Sequence, residues 1–208
     1  LLTKETPTDF SAQVSARMLE LAAALPSSSQ QVVVSPTGED LRRTLVEACA
    51  GHAPSAALPP VVTLFAVRVA SIVELLHLAS LLPDDSQAVF GLAAKEAAEL
   101  GGAVKRAVAA TAADLKRGEL VQQRTGQLFR LACVLGGQLA GRSEADLEVL
   151  GRFGMDLGAA FQSLDETSDL EEARDCFRRA LAQLDELSDQ RVRERIVGIA
   201  QTEWSRLQ

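Results

Sequence analysis

Tyrosine is absent from this 208-residue chain, and aromatic residues make up only 4% of it. Strands draw on aromatic and β-branched residues, so that shortage argues against a sheet. The one β-like run, Gln31-Val32-Val33-Val34, is too short and isolated to build one. Cysteine is scarce as well. Cys49, Cys133 and Cys176 lie far apart with no CxxC or CxxH spacing, which excludes a zinc knuckle and a disulfide framework. They read as small buried hydrophobes in a reducing cytoplasm. Excess positive charge is missing: 21 Lys and Arg face 28 Asp and Glu, a net charge of −7. That sign disfavours a grip on the nucleic-acid backbone. No apolar run stays uninterrupted for the ~18 residues that a membrane span requires. The longest candidate, Val61 to Leu82, carries Arg68, Glu74 and His77. The opening Leu1-Leu2-Thr3-Lys4-Glu5 gives no support to export. A cytoplasmic protein with no membrane span and no nucleic-acid partner is expected.

What the chain has in quantity is alanine and leucine, both strong helix formers, so the fold class is all-α. Breakers divide it into about eight helices. Asp9 caps a helix from Phe10 to Leu25, ended by Pro26-Ser27-Ser28-Ser29. A second runs from about Gly38-Glu39 to Gly51, and an apolar third from Pro60 to Leu82, closed by Pro83. Ser86 to Arg117 is one long tract, weakest at Gly91 and at Gly101-Gly102, where a break is preferred to a close-packing contact. Gln123–Ala140, Ser143 to about Ser168, Leu170–Glu186 and Ser188–Arg206 complete the set, with Ser143 a good cap and Ser188 a poorer one. Without tandem repeats, these short-jointed helices read as one bundle, a single domain over residues 1–208.

Three segments carry chemistry. Gly154, Gly158, Phe161, Gln162, Asp165, Glu166 and Asp169 lie in one helix and its end. Gly118-Glu119-Leu120 precedes Arg124-Thr125-Gly126-Gln127-Leu128-Phe129. Earlier still comes Glu74-Leu75-Leu76-His77-Leu78-Ala79-Ser80-Leu81-Leu82-Pro83-Asp84-Asp85. Carboxylates four apart on a helix share a face and can share a hard divalent cation. Mg²⁺ takes one or two of them plus substrate phosphates, so two such faces across a cavity could grip a diphosphate and stabilise its departure. In order and register the three segments resemble those of the trans-isoprenyl diphosphate synthases, the polyprenyl synthetase family. There they read G-x-x-x-G-x-x-F-Q-x-x-D-D-x-x-D, G-E-x-x-Q with K-T-x-x-L-F, and E-L-x-H-x-A-S-L-x-H-D-D. The resemblance implies an isoprenoid-synthase-like bundle. It places metal-binding acids at Asp165, Glu166 and Asp169 and at Asp84 and Asp85. It also implies substrate contacts at Arg124, Thr125 and Gln162, and a hydrocarbon slot walled by Leu75, Leu78, Ala79 and Leu82.

The pattern departs from that family at its charges. The position four beyond Asp84 is Ala88, Pro83 stands where the family has His, and Val89-Phe90-Gly91-Leu92 replaces a basic element. Ser55-Ala56-Ala57-Leu58-Pro59-Pro60 holds no cation where the resemblance implies a Gly-Gly-Lys-Arg-x-Arg-Pro element. Arg124 replaces Lys, Glu166 replaces the middle Asp, and the chain reads as truncated after each acidic segment. Losing one charged partner in such a site costs ~2–5 kcal/mol, and several are lost together. The expectation is therefore a non-catalytic regulatory small subunit of a heteromeric synthase, with no catalytic residue of its own. The catalytic large subunit would be its partner and the holder of Mg²⁺, and the tract Ser86–Arg117 the pairing surface. A homodimeric isoprenoid-binding or scaffold protein, and a Mg²⁺-dependent enzyme using only the second acidic segment, are the alternatives. For Asp165, Glu166 and Asp169, residual metal binding and an inherited, unused motif stand level. For Asp84 and Asp85 a helix-terminal turn is favoured, for His77 a packed, hydrogen-bonded ring, and for Trp204 a packing anchor. Lys105, Arg106, Lys116 and Arg117 read as a solvated face before an acidic-partner contact.

Overall fold

The punctuation of the sequence is visible in the computed structural model, which describes residues 10–25, 40–51, 60–82, 84–117, 121–166 and 170–206. Nine α-helices and one 3-10 turn occur among them, and no strand. They are α1 (Phe10–Ala22), α2 (Asp40–Cys49), α3 (Pro60–Leu81), α4 (Ser86–Leu100) and α5 (Gly102–Arg117), then α6 (Val121–Leu139), α7 (Glu144–Glu166), α8 (Leu170–Gln183) and α9 (Gln190–Arg206). The 3-10 turn, Leu184–Glu186, follows α8. The expected all-α class holds. The ninth helix arises because the Ser86–Arg117 tract breaks at Gly101, whose φ of 113° lies where residues with side chains rarely go. The expected cap at Asp9, the stop at Pro26–Ser29, the Gln31–Val34 run, the start at Gly38-Glu39 and the proline loop before Pro60 lie outside the described residues.

Side chains fix the starts of α7 and α9. The Ser143 hydroxyl accepts from the Asp146 N–H at 3.1 Å, the anticipated cap of α7. At α9 the cap is one residue later than expected: Asp189 Oδ1 accepts from the N–H groups of Arg191 and Val192 at 3.1 and 3.2 Å. Ser188 is otherwise engaged. Its N–H and hydroxyl donate to the buried Asp146 carboxylate at 3.0 and 2.7 Å, tying the start of α9 to the start of α7. Burial would raise the Asp146 pKa, but the bonds from Ser188 and Ser143 and the nearby Arg142 outweigh it and hold it low.

Two apolar clusters share α6 as a wall. Leu128, Leu131, Ala132 and Leu135, spaced three and four apart, face the first cluster, with Ile72, Leu75 and Leu76 of α3 and Val14 and Met18 of α1. Phe129 and Cys133 face the second, with Leu45 of α2, Phe153 and Leu157 of α7, Phe177 of α8 and Trp204 of α9. Trp204 stacks on Phe177 at 4.4 Å and meets Phe161 edge-on at 6.2 Å, so it anchors the outer layer. Val62–Leu81 is long and apolar enough to cross a membrane, but 67% of that window is buried inside the bundle. Its charges are satisfied there as well. Arg68 and Arg17 both reach the buried Glu96, at 3.2 and 2.9 Å, which ties α3, α1 and α4 together.

Candidate functional site

A glutamate in an apolar helix stripe must find a cation or lose its charge. Glu74, 2% exposed on α3, finds Arg42 of α2. Arg42 Nη2 and Nε donate to its two carboxylate oxygens at 2.9 and 3.3 Å, a two-point grip. The same Nη2 lies 3.0 Å from His77 Nδ1, one turn on. Arginine can only donate, so Nδ1 accepts and the ring carries its proton on Nε2. Burial, and then the Arg42 charge, push the His77 pKa down to about 3, which keeps the ring neutral. Sequence alone does not single out Arg42, although an acid in the α3 stripe and an Arg-Arg pair in a short amphipathic helix are the available signal.

The expected slot residues lie on the same helix or just past its end. Leu75, Leu78 and Ala79 are buried in the first cluster and Leu82 is half-buried, while Leu81 is 57% exposed at the end of α3. Asp84 is exposed and Asp85 half-buried in the turn that follows. The Asp85 carbonyl accepts from the N–H groups of Ala88 and Val89, starting α4 at once. That register points Val89 into the core and leaves Ala88, four beyond Asp84, exposed. Among the described residues no three His, Cys, Asp or Glu converge in a way that could hold a metal ion.

The second set lies on α6 and α7, whose backbones touch through glycine. A Cβ on Gly158 would sit 2.7 Å from Gly126 Cα, and one on Gly154 would sit 2.7 Å from the Arg130 backbone. Across this close pair Thr125 Oγ1 donates to Gln162 Oε1 at 2.6 Å, so two expected substrate contacts meet. Phe161 stacks on Phe129 at 6.0 Å, again from α7 to α6. Arg124 is half-buried one residue before Thr125. Helix α7 extends to Glu166, so Asp165 and Glu166 lie in its last turn. Their side chains, together with Asp169, Pro83 and Gly118-Glu119-Leu120, lie outside the described residues.

A cavity of about 760 Å³ opens elsewhere, lined by Arg142, Ser188, Asp189, Gln190, Arg191 and Glu194 at the start of α9. No expected site residue lines it, and Arg142 is already committed. It donates to the Cys49 carbonyl at 3.2 Å and to Asp189 at 3.3 Å, which makes it a joint between helices.

Residues 86–183 match the family described as polyprenyl synthetase. No curated protein sequence matches the chain. Among solved structures, a geranylgeranyl pyrophosphate synthase from Lactobacillus brevis, complexed with citrate, superposes with a TM-score of 0.75 at 14% identity, covering 95% of each chain. A decaprenyl diphosphate synthase from Rhodobacter capsulatus gives 0.69 at 19% identity and 96% of each chain. A geranyl diphosphate synthase small subunit from Antirrhinum majus gives 0.53 at 16% identity, over 96% of this chain and 93% of that one. The chain thus adopts the all-α isoprenoid-synthase fold, and its segment from α4 to the end of α8 matches the polyprenyl synthetase family.

Proposed function

We propose that this chain is the non-catalytic small subunit of a heteromeric trans-prenyl diphosphate synthase, a cytoplasmic accessory that stabilises a catalytic large subunit and influences product length. One observation carries the reading. Where the first acidic segment would need a further carboxylate in line with Asp84, α4 has already begun and presents the methyl group of Ala88. Asp84 and Asp85 do not make the ligand set of a Mg²⁺ ion that bridges to a diphosphate, so on this reading the metal is held by the partner. The family match begins at Ser86, one residue past that segment, which agrees with a first site that has diverged. The likeness to a solved small subunit adds support at the level of fold.

The surface offered to the partner is the α4–α5 tract. Ala93 and Ala97 turn inward, whereas Ala88, Gly91, Ala94 and Ala98 lie exposed along α4, and Ala109 and Ala110 along α5. Side chains this small permit close helix approach. Leu81 and Leu82, at the end of α3, are where a partner-bound hydrocarbon would meet this chain. Co-expression with a complete synthase tests the proposal. Co-purification together with altered activity or product length is expected, and the absence of both binding and any effect rejects it.

A second reading is an enzyme working from the second acidic segment alone, whose Asp165 and Glu166 fall in the last turn of α7. It requires Mg²⁺-dependent turnover of an allylic diphosphate by the purified chain, abolished by Asp165→Ala.

A further inference from the structure

Two thiols meet where α2 crosses α6. Cys49 closes α2, Cys133 lies in the middle of α6, both are fully buried in one apolar cluster, and each thiol lies within electrostatic reach of the other. Gly136, one turn beyond Cys133, brings them together. A Cβ at Gly136 would lie 2.5 Å from the Val46 carbonyl oxygen and 2.9 Å from Cys49 Cβ, a closeness that only glycine allows. Val46 and Cys49, one turn apart on α2, both lie against Gly136, so the two helix backbones are nearly in contact beside Cys133. A disulfide requires this kind of approach, with Cα atoms roughly 4.4–6.8 Å apart and Cβ atoms facing. Cys176 is placed differently: it lies on α8, where its sulfur accepts from Arg179 at 3.1 Å.

We infer that Cys49 and Cys133 are a dithiol that a hydroperoxide converts to an intramolecular disulfide, clasping α2 to α6. In the first step one sulfur, having given up its proton, attacks a peroxide oxygen. The O–O bond breaks, and the departing hydroxide takes up that proton as water, leaving a sulfenic acid. The second sulfur then displaces the sulfenic hydroxyl, which leaves as water with the second thiol's proton. Two thiols and one hydrogen peroxide give one disulfide and two waters. The neighbouring Cys49 thiol and burial hold Cys133 well above the usual thiol range, so it stays protonated while the helices are closed. Burial also sets the pace, because the oxidant reaches the pair when α2 lifts from α6. The clasp would join the helix that carries Arg42 to the helix that carries Thr125, and it stands independently of any synthase partner.

The full chain would be treated with hydrogen peroxide, quenched, denatured and alkylated before and after reduction. Two of its three thiols should be lost reversibly, peptide mapping should link Cys49 to Cys133, and the oxidised chain should melt at a higher temperature. Cys176→Ser should leave this behaviour intact and Cys133→Ser should remove it. Should Cys133→Ser fail to fold, the peptide map of the wild-type chain decides alone. Three alkylatable thiols after prolonged treatment, a link through Cys176, or an unchanged melting temperature in the linked chain would overturn the inference.

Discussion

Acid should loosen this fold through His77 in a way that one substitution isolates. In the folded chain the ring accepts from Arg42 and its pKa falls to about 3; in the unfolded chain it returns to the ordinary 6.5. Between those values the unfolded state binds one more proton than the folded state. Stability is then complete above the unfolded value and falls as pH drops toward the folded one. The slope for one proton approaches ~1.4 kcal/mol per pH unit, and integrating from about pH 6 to about pH 5 gives a loss of about 1.2 kcal/mol from this group. His77→Asn keeps an acceptor near the Nδ1 position without titrating. Carboxylates elsewhere contribute to both proteins and cancel in the difference. Trp204, the single tryptophan, is stacked on Phe177 and reports urea unfolding by fluorescence. Wild type should lose about 1 kcal/mol more than His77→Asn over that interval. Parallel stability curves for the two proteins would refute the claim that burial and Arg42 hold the ring neutral.

Removing Arg42 strands a buried carboxylate. Arg42→Ala should cost ~3–5 kcal/mol in urea melts, and adding Glu74→Leu should restore a large part of it, because the penalty is an unpaired charge. Gly158→Ala gains helix propensity but drives a methyl group into the Gly126 backbone, so a net loss of ~1–3 kcal/mol in the same melts is expected. Gly198→Ala meets nothing within 4 Å and should stabilise by up to ~1 kcal/mol. Thr125→Val should cost about 1 kcal/mol for the lost bond to Gln162.

How much can be read in advance depends on the range of the interaction. Helix positions follow local rules: α3 begins at Pro60 as expected and ends one residue before the expected Leu82, and α7 begins beside its Ser143 cap. Sequence alone misplaces the α9 cap because Ser188 is drawn off by Asp146, a residue 42 positions earlier that no local rule connects to it. Arg42 escapes notice for the same reason, since its partner Glu74 stands 32 positions away on another helix. Motif register singles out both Thr125 and Gln162, 37 positions apart, but their bond depends on the glycine contact between α6 and α7. That contact is set by backbone approach, which a linear pattern does not display.

The determinants of scaffold and site are physically separate in this chain, which is why one can persist while the other changes. The bundle is held by methyl groups, leucines and glycines in helix interiors: α6 offers one face to each core, and Gly126, Gly136 and Gly158 set how closely α2, α6 and α7 approach. Each of these positions is felt at the scale of ~1–3 kcal/mol, so substitution there threatens the fold. The acids and cations that a diphosphate would require stand at helix ends and in joints, where exchange changes stability by no more than about 0.5 kcal/mol. Ala88, where the proposed site would need a carboxylate, illustrates this, because the side chain is exposed and α4 forms around it. A chain under selection only to support a partner would keep the first set of residues and drift at the second. The glycine contacts and the Thr125–Gln162 bond would then outlast the charges around Asp84.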